Sequence, residues 1–178
     1  MRFMSTMKMS ITSKFRLLLC LMFCLAAISG VQAQASKKGD QMKLATTIAK
    51  GTFEVKVTPQ AADSGVDALI GRLLMTKQYS GDLTGTSNGQ MLGTQSEAVS
   101  GSGGYVAMER IIGTLNGRKG SFILQHAGTM QGGKYEMDVS VVPDSGTDEL
   151  KGISGKLKII IEGSKHLYEF DYSIPQSK

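Results

Sequence analysis

The segment Pro143-Asp144-Ser145-Gly146-Thr147 sets a carboxylate beside two hydroxyls and a glycine. A loop carboxylate can share a proton with a second one, so that one acts as base toward water and the other as acid. Asp82, within Gly81-Asp82-Leu83-Thr84-Gly85, and Glu109 are the candidate partners, although neither repeats the motif. The same residues are also sound β-turn chemistry. Pro143 presets φ, and a turn Asp bonds the backbone that follows it. Asp144 therefore reads either as a structural corner or as half of an acid–base pair.

Both histidines stand on apolar faces. His126 lies two residues from Leu124 and four from Phe122, so in a strand all three point the same way. His166 likewise shares a face with Tyr168 and Phe170. Two inward imidazoles could polarise a ligand. A metal would want at least one further ligand, and no clustered His, Asp or Glu spacing supplies it. The sequence thus implies no metal and no cofactor. Glu109 shares its face with Tyr105, Ala107 and Ile111, whereas Arg110 shares the other with Val106, Met108 and Ile112. One of these charges must be more buried than its neighbours suggest. Burial would raise the pKa of Glu109 unless a cation such as Arg72 pairs with it. A buried ionisable group at a barrel mouth is a functional-site candidate, and a structural ion pair across strands is the alternative. Arg72, Tyr105, Phe122, His126, His166 and Tyr168 are the candidate lining of an internal ligand site.

These residues must be positioned by strands. Phe53, Val55 and Val57 alternate with Glu54 and Lys56, the period of a half-buried strand. A long extended segment runs from Leu69 to about Thr86, with Gly81 and Gly85 as bulge or bend positions. Asn88-Gly89 predicts a two-residue hairpin, because both central positions of a type I′ turn need positive φ. Asn116-Gly117 predicts a second, between Tyr105–Leu115 and Arg118–Met130, and Gly132-Gly133 turns the chain into Tyr135–Val142. Ile153–Glu162 and His166–Ile174 form the last hairpin. Only Ala61–Leu73 could hold a short helical turn. About eight strands joined by short turns predict a single antiparallel up-and-down barrel, since closure removes unpaired edges. A two-sheet sandwich is the alternative. An eight-stranded interior is filled by side chains or holds one small ligand.

The chain opens with a different kind of segment. Lys8, Lys14 and Arg16 precede the apolar run Leu17–Ile28, and Val31-Gln32-Ala33 offers a small-residue cleavage site. That is the plan of a secretory signal peptide over residues 1–33, and it implies export to the periplasm or beyond. Residues 34–42 read as a disordered polar lead-in, and 43–178 as the barrel domain. Cleavage after Ala33 removes both cysteines, Cys20 and Cys24, leaving no thiol chemistry and no disulfides. Four basic residues leave with it, so 16 basic face 15 acidic residues and the net charge falls from +5 to +1. No basic field then argues for nucleic acid or an anionic membrane. Tryptophan is absent, which weakens any case for stacking platforms. Gly101-Ser102-Gly103-Gly104 lacks the strand–turn–helix setting of a hydrolase nucleophile.

Several runs carry a family resemblance: Gly51-Thr52-Phe53-Glu54-Val55, Gly81-Asp82-Leu83-Thr84-Gly85-Thr86-Ser87, Gly104-Tyr105-Val106-Ala107-Met108-Glu109-Arg110, Ser121-Phe122-Ile123-Leu124-Gln125-His126 and Val141-Val142-Pro143-Asp144-Ser145-Gly146-Thr147. From Gly51 onward the chain resembles the bacterial domain of unknown function 3224 family. That resemblance implies an allene oxide cyclase-like β-barrel and brings no functional residues with it. The form Asp-Ser/Thr-Gly-Ser/Thr at Asp144 is similar to the active-site loop of aspartic peptidases. Three functions follow as expectations. The first is an exported, non-enzymatic barrel that binds a small apolar or amphipathic ligand or self-associates into a homo-oligomer. The second is an acid hydrolase of aspartic-peptidase type using Asp144 with Asp82 or Glu109. The third is a cyclase- or isomerase-like enzyme, by fold analogy alone.

Overall fold

The computed structural model describes residues 46–175, apart from 63, 66 and 68. The expected signal peptide and lead-in lie outside the described residues. Eight strands follow in order: β1 (Thr47–Pro59), β2 (Gly71–Gly81), β3 (Leu83–Gln95), β4 (Gly103–Leu115), β5 (Arg118–Gln131), β6 (Lys134–Val141), β7 (Ser154–Glu162) and β8 (Lys165–Ser173). Each pairs antiparallel with the next, and β8 returns to β1, so the sheet closes into an up-and-down barrel. Closure excludes the sandwich alternative. Among the described residues the one helical element is a 3-10 turn, Asp148–Leu150, between β6 and β7.

The second and third strands divide where the sequence did not suggest. Asn88-Gly89 is not a hairpin turn. Both residues sit in mid-β3, where Asn88 pairs with Thr76 and Arg110, and Gly89 with Met75 and Glu109. The chain reverses instead at Gly81-Asp82, with Gly81 at φ 110°. Gly89 serves close approach rather than a turn. A Cβ there would lie 2.7 Å from the Met108 carbonyl oxygen and 3.0 Å from Met75 Cε. Asn116-Gly117 does turn as expected, with both residues at positive φ (47° and 83°).

Alternation places the core inside. Along β2, Met75, Lys77 and Tyr79 are buried, and the intervening Gln78 is exposed. The two ends of the barrel differ. At the end bearing the β2–β3, β4–β5 and β6–β7 connections, Ala49, Leu83 and Leu115 are fully buried. Leu150 and Ile153, from the β6–β7 connection, are buried against the same cluster. Phe122 and Phe170 stack beneath them, with ring centroids 5.5 Å apart.

At the other end, residues in the same inward phase become exposed. Val57 is 43% exposed, Met137 37%, Ile161 52% and Tyr135 59%. Leu73, Met91, Tyr105 and His166, also in that phase, are half-buried. The barrel is therefore a cup, filled at one end and open at the other. The wall is thinnest between β6 and β7. Among the described residues Ser140↔Lys156 is the one backbone pair joining them.

Candidate functional site

The floor of the cup is charged. Glu109, on β4, is completely buried, as the parity of Ala107 and Ile111 requires. Its cation is Lys77 of β2, with Nζ 2.8 Å from Oε2, and not Arg72. Strand alternation explains the difference. Lys77 shares the inward phase of Met75 and Tyr79, whereas Arg72 has the opposite parity. The Arg72 guanidinium lies instead on the outer wall, where Nη2 donates to the Ala61 carbonyl at 3.4 Å.

Three donors hold the Glu109 carboxylate, and His126 stands beside it. Tyr79 donates its hydroxyl to Oε1 at 2.9 Å, and the Ser87 hydroxyl donates to the same oxygen. Lys77 takes Oε2. His126 Nε2 lies 2.9 Å from Oε2, though off the line of a good N–H···O bond. Burial by itself would push the Glu109 pKa up. The His126 contact, the Lys77 charge and hydrogen bond and the Ser87 hydroxyl outweigh burial and hold it at about 2, below its ordinary 4.5. Burial pulls the Lys77 ammonium below its ordinary value, opposed by the charge of Glu109. Its Nζ also sits 4.7 Å from the centre of the Phe53 ring. Burial and the negative Glu109 raise the Tyr79 phenol well above its ordinary range. The same two causes raise the Tyr105 phenol.

The other predicted lining residues divide between wall and core. Tyr105 is a wall residue, and its ring rests on Gly128, where a Cβ would come 2.4 Å from Tyr105 Cε1. His166 packs on Phe53 with ring centroids 5.3 Å apart. Tyr168 is committed elsewhere: its hydroxyl accepts the Leu83 backbone N–H at 2.8 Å and fixes the β2–β3 corner. Phe122 lies in the filled end. Sequence reasoning missed Lys77, Ser87, Phe53 and Tyr79. The available signal was a lysine in the apolar phase of Leu73-Met75-Lys77-Tyr79.

The Asp144 loop has a structural use. Asp144 itself is exposed at φ 58°. Ser145 Oγ donates to the Val142 carbonyl at 2.7 Å and accepts the Ile123 N–H at 3.1 Å. Thr147 Oγ1 accepts the Ser121 N–H at 3.0 Å. These bonds fasten the loop along β5 and seat Leu150 and Ile153 in the filled end. Asp82 accepts the Lys50 N–H at 2.8 Å. Among the described residues, no hydrogen bond joins Asp144 to Asp82 or to Glu109.

A closed antiparallel barrel with one plugged end, an apolar mouth and a charged floor is a small calyx. The chain belongs to the family described as Protein of unknown function (DUF3224), which matches residues 49–172. It is similar to the crystal structure of a protein with unknown function from that family in Shewanella oneidensis MR-1. The two share 41% identity over 75% of this chain and 100% of that one, with a TM-score of 0.69. No curated protein matches the chain.

Proposed function

We propose that this barrel is a binding protein that holds one small apolar or amphipathic molecule in its cup. The observation that carries this reading is the exposure of inward-phase apolar residues at one end, directly over a buried polar floor. Side chains that face a barrel interior are normally covered. Val57, Met137 and Ile161 at 37–52% exposure leave apolar side chains uncovered at the open end, and apolar side chains are the usual lining of a small-molecule site. The Glu109 carboxylate, held by three donors with His126 beside it, is a poor general base, which favours binding over catalysis.

The test uses the chain without its leader and an uncharged fluorescent probe, N-phenyl-1-naphthylamine. We expect saturable binding at one probe per chain, seen by fluorescence and native mass spectrometry. Val57→Arg with Ile161→Arg should weaken it at least tenfold without unfolding the barrel. Absence of probe binding, or equal binding by a folded double variant, would count against the cup.

A further inference from the structure

We propose that the outer wall of β2 to β5 is a self-association face, on which a second copy of this chain docks about a two-fold axis running along β4. The two halves of the wall differ in chemistry. β6, β7, β8 and β1 each point three charged side chains outward, Lys50, Glu54 and Lys56 on β1 among them. The outward residues of β2, β3 and β4 include Arg72 and Arg110, but no lysine and no carboxylate. On that side Leu74, Leu92, Val106 and Met108 are exposed. A wall that meets only water has no reason to shed lysine and acid from one half alone. Apolar core, methionine and arginine in place of lysine and carboxylate are the composition of a protein interface.

Cross-strand register shows which partner fits. One row crosses the wall as Arg72, Leu92, Val106, Ala127 and Asp138. The next row crosses as Leu74, Gln90, Met108 and Gln125. A two-fold axis along β4 exchanges β3 with β5 and β2 with β6. It sets Val106 and Met108 against their own copies, Leu92 against Ala127, and the Gln90 amide against that of Gln125. At the edges it turns Arg72 toward the acidic edge of β6, Glu136 and Asp138, on the other copy. The face is thus its own complement, as an isologous dimer requires. Arg110 leaves the axis clear, because its Nη2 is drawn to Ser121 Oγ on β5 at 3.2 Å. Five strands at about 4.8 Å spacing, over Gly104–Ile112 at about 3.3 Å per residue, give roughly 500 Å² per copy. A specific interface needs about 1,000 Å² over both copies.

The experiment measures the mass of the protein, purified after expression of the full chain, by sedimentation equilibrium. The wild type should be a dimer at micromolar concentration. Val106→Lys with Met108→Lys alters positions that are exposed in the single barrel, so the fold is kept. The dissociation constant should rise about hundredfold or more, since the new ammonium groups would be buried without partners. Val57→Arg with Ile161→Arg, at the open end, should leave the dimer intact, which separates this face from the cup. Glu136→Arg should weaken the dimer about tenfold, and adding Arg72→Glu should restore it, because the exchanged charges meet across the axis. A monomeric wild type, a dimer that survives both lysines, or an exchange that restores nothing would overturn the proposal. So would a monomer whose Val106 and Met108 methyls shift with N-phenyl-1-naphthylamine, which would give the wall to a small molecule instead.

Discussion

Glu109 is the residue on which the interior turns. A buried carboxylate is tolerated only when donors and a cation meet it, and Lys77, Tyr79, Ser87 and His126 do so. Removing one partner strands the other. Glu109→Gln or Lys77→Met should each destabilise the barrel by about 3–5 kcal/mol in chemical denaturation. Their double variant should cost less than the sum of the two, because neither charge is then left alone. The pH dependence follows from the depressed pKa. Glu109 is held at about 2 against an ordinary 4.5, so its stabilising contribution is complete above about 4.5. It is lost as pH falls toward 2. Denaturation midpoints measured across that window should fall in the wild type and flatten in Glu109→Gln; an unchanged slope would remove Glu109 as the cause. The sequence made Glu109 visible, because a charge sat in phase with Ala107 and Ile111. It did not reveal Lys77 as the partner. Pairing β2 with β4 across β3 depends on register, and periodicity within one strand carries no register.

At the scale of elements, strand phase was readable and strand ends less so. Asn88-Gly89 has the chemistry of a hairpin turn, yet the glycine is used to bring β3 against Met75 and the Met108 backbone beside Glu109. Gly89→Ala should therefore destabilise the barrel by about 1–3 kcal/mol, with no change in the turn at Gly81-Asp82. The β6–β7 seam was not legible at all, since Tyr135–Val142 and Ile153–Glu162 both show ordinary strand alternation. In the structure the seam is held by the Ser140↔Lys156 pair and by an exposed Lys156–Asp138 ion pair at 2.6 Å. Exposed pairs of that kind contribute below about 1 kcal/mol. Seam-facing amides of β6 and β7 should thus exchange with deuterium well before those of β3 and β4, whose pairing runs the full length of both strands. Uniform protection around the barrel would contradict this.

For the whole molecule, closure followed from eight alternating segments and short turns, while the asymmetry between its ends did not. That asymmetry arises because the β6–β7 connection tucks Leu150 and Ile153 into one end. A loop sequence does not announce which end of a barrel it will fill. We also propose that the protein is exported; mass spectrometry of protein recovered from cells should then give an N-terminus at Gln34, and a retained Met1 leader would oppose it. The outer wall offers a rival to the cup. A groove of about 760 Å³ is lined by Ile70, Leu92, Val106 and Ala127 and reaches Tyr105 and Met137 at the rim, and Met108 and Ile112 are also exposed on β4. Methyl NMR distinguishes the two surfaces in one titration with N-phenyl-1-naphthylamine. The cup predicts saturable shifts at Val57, Met75 and Ile161, with Leu92, Val106, Met108 and Ile112 unmoved. Shifts confined to the outer-wall methyls, or none at either surface, would contradict it.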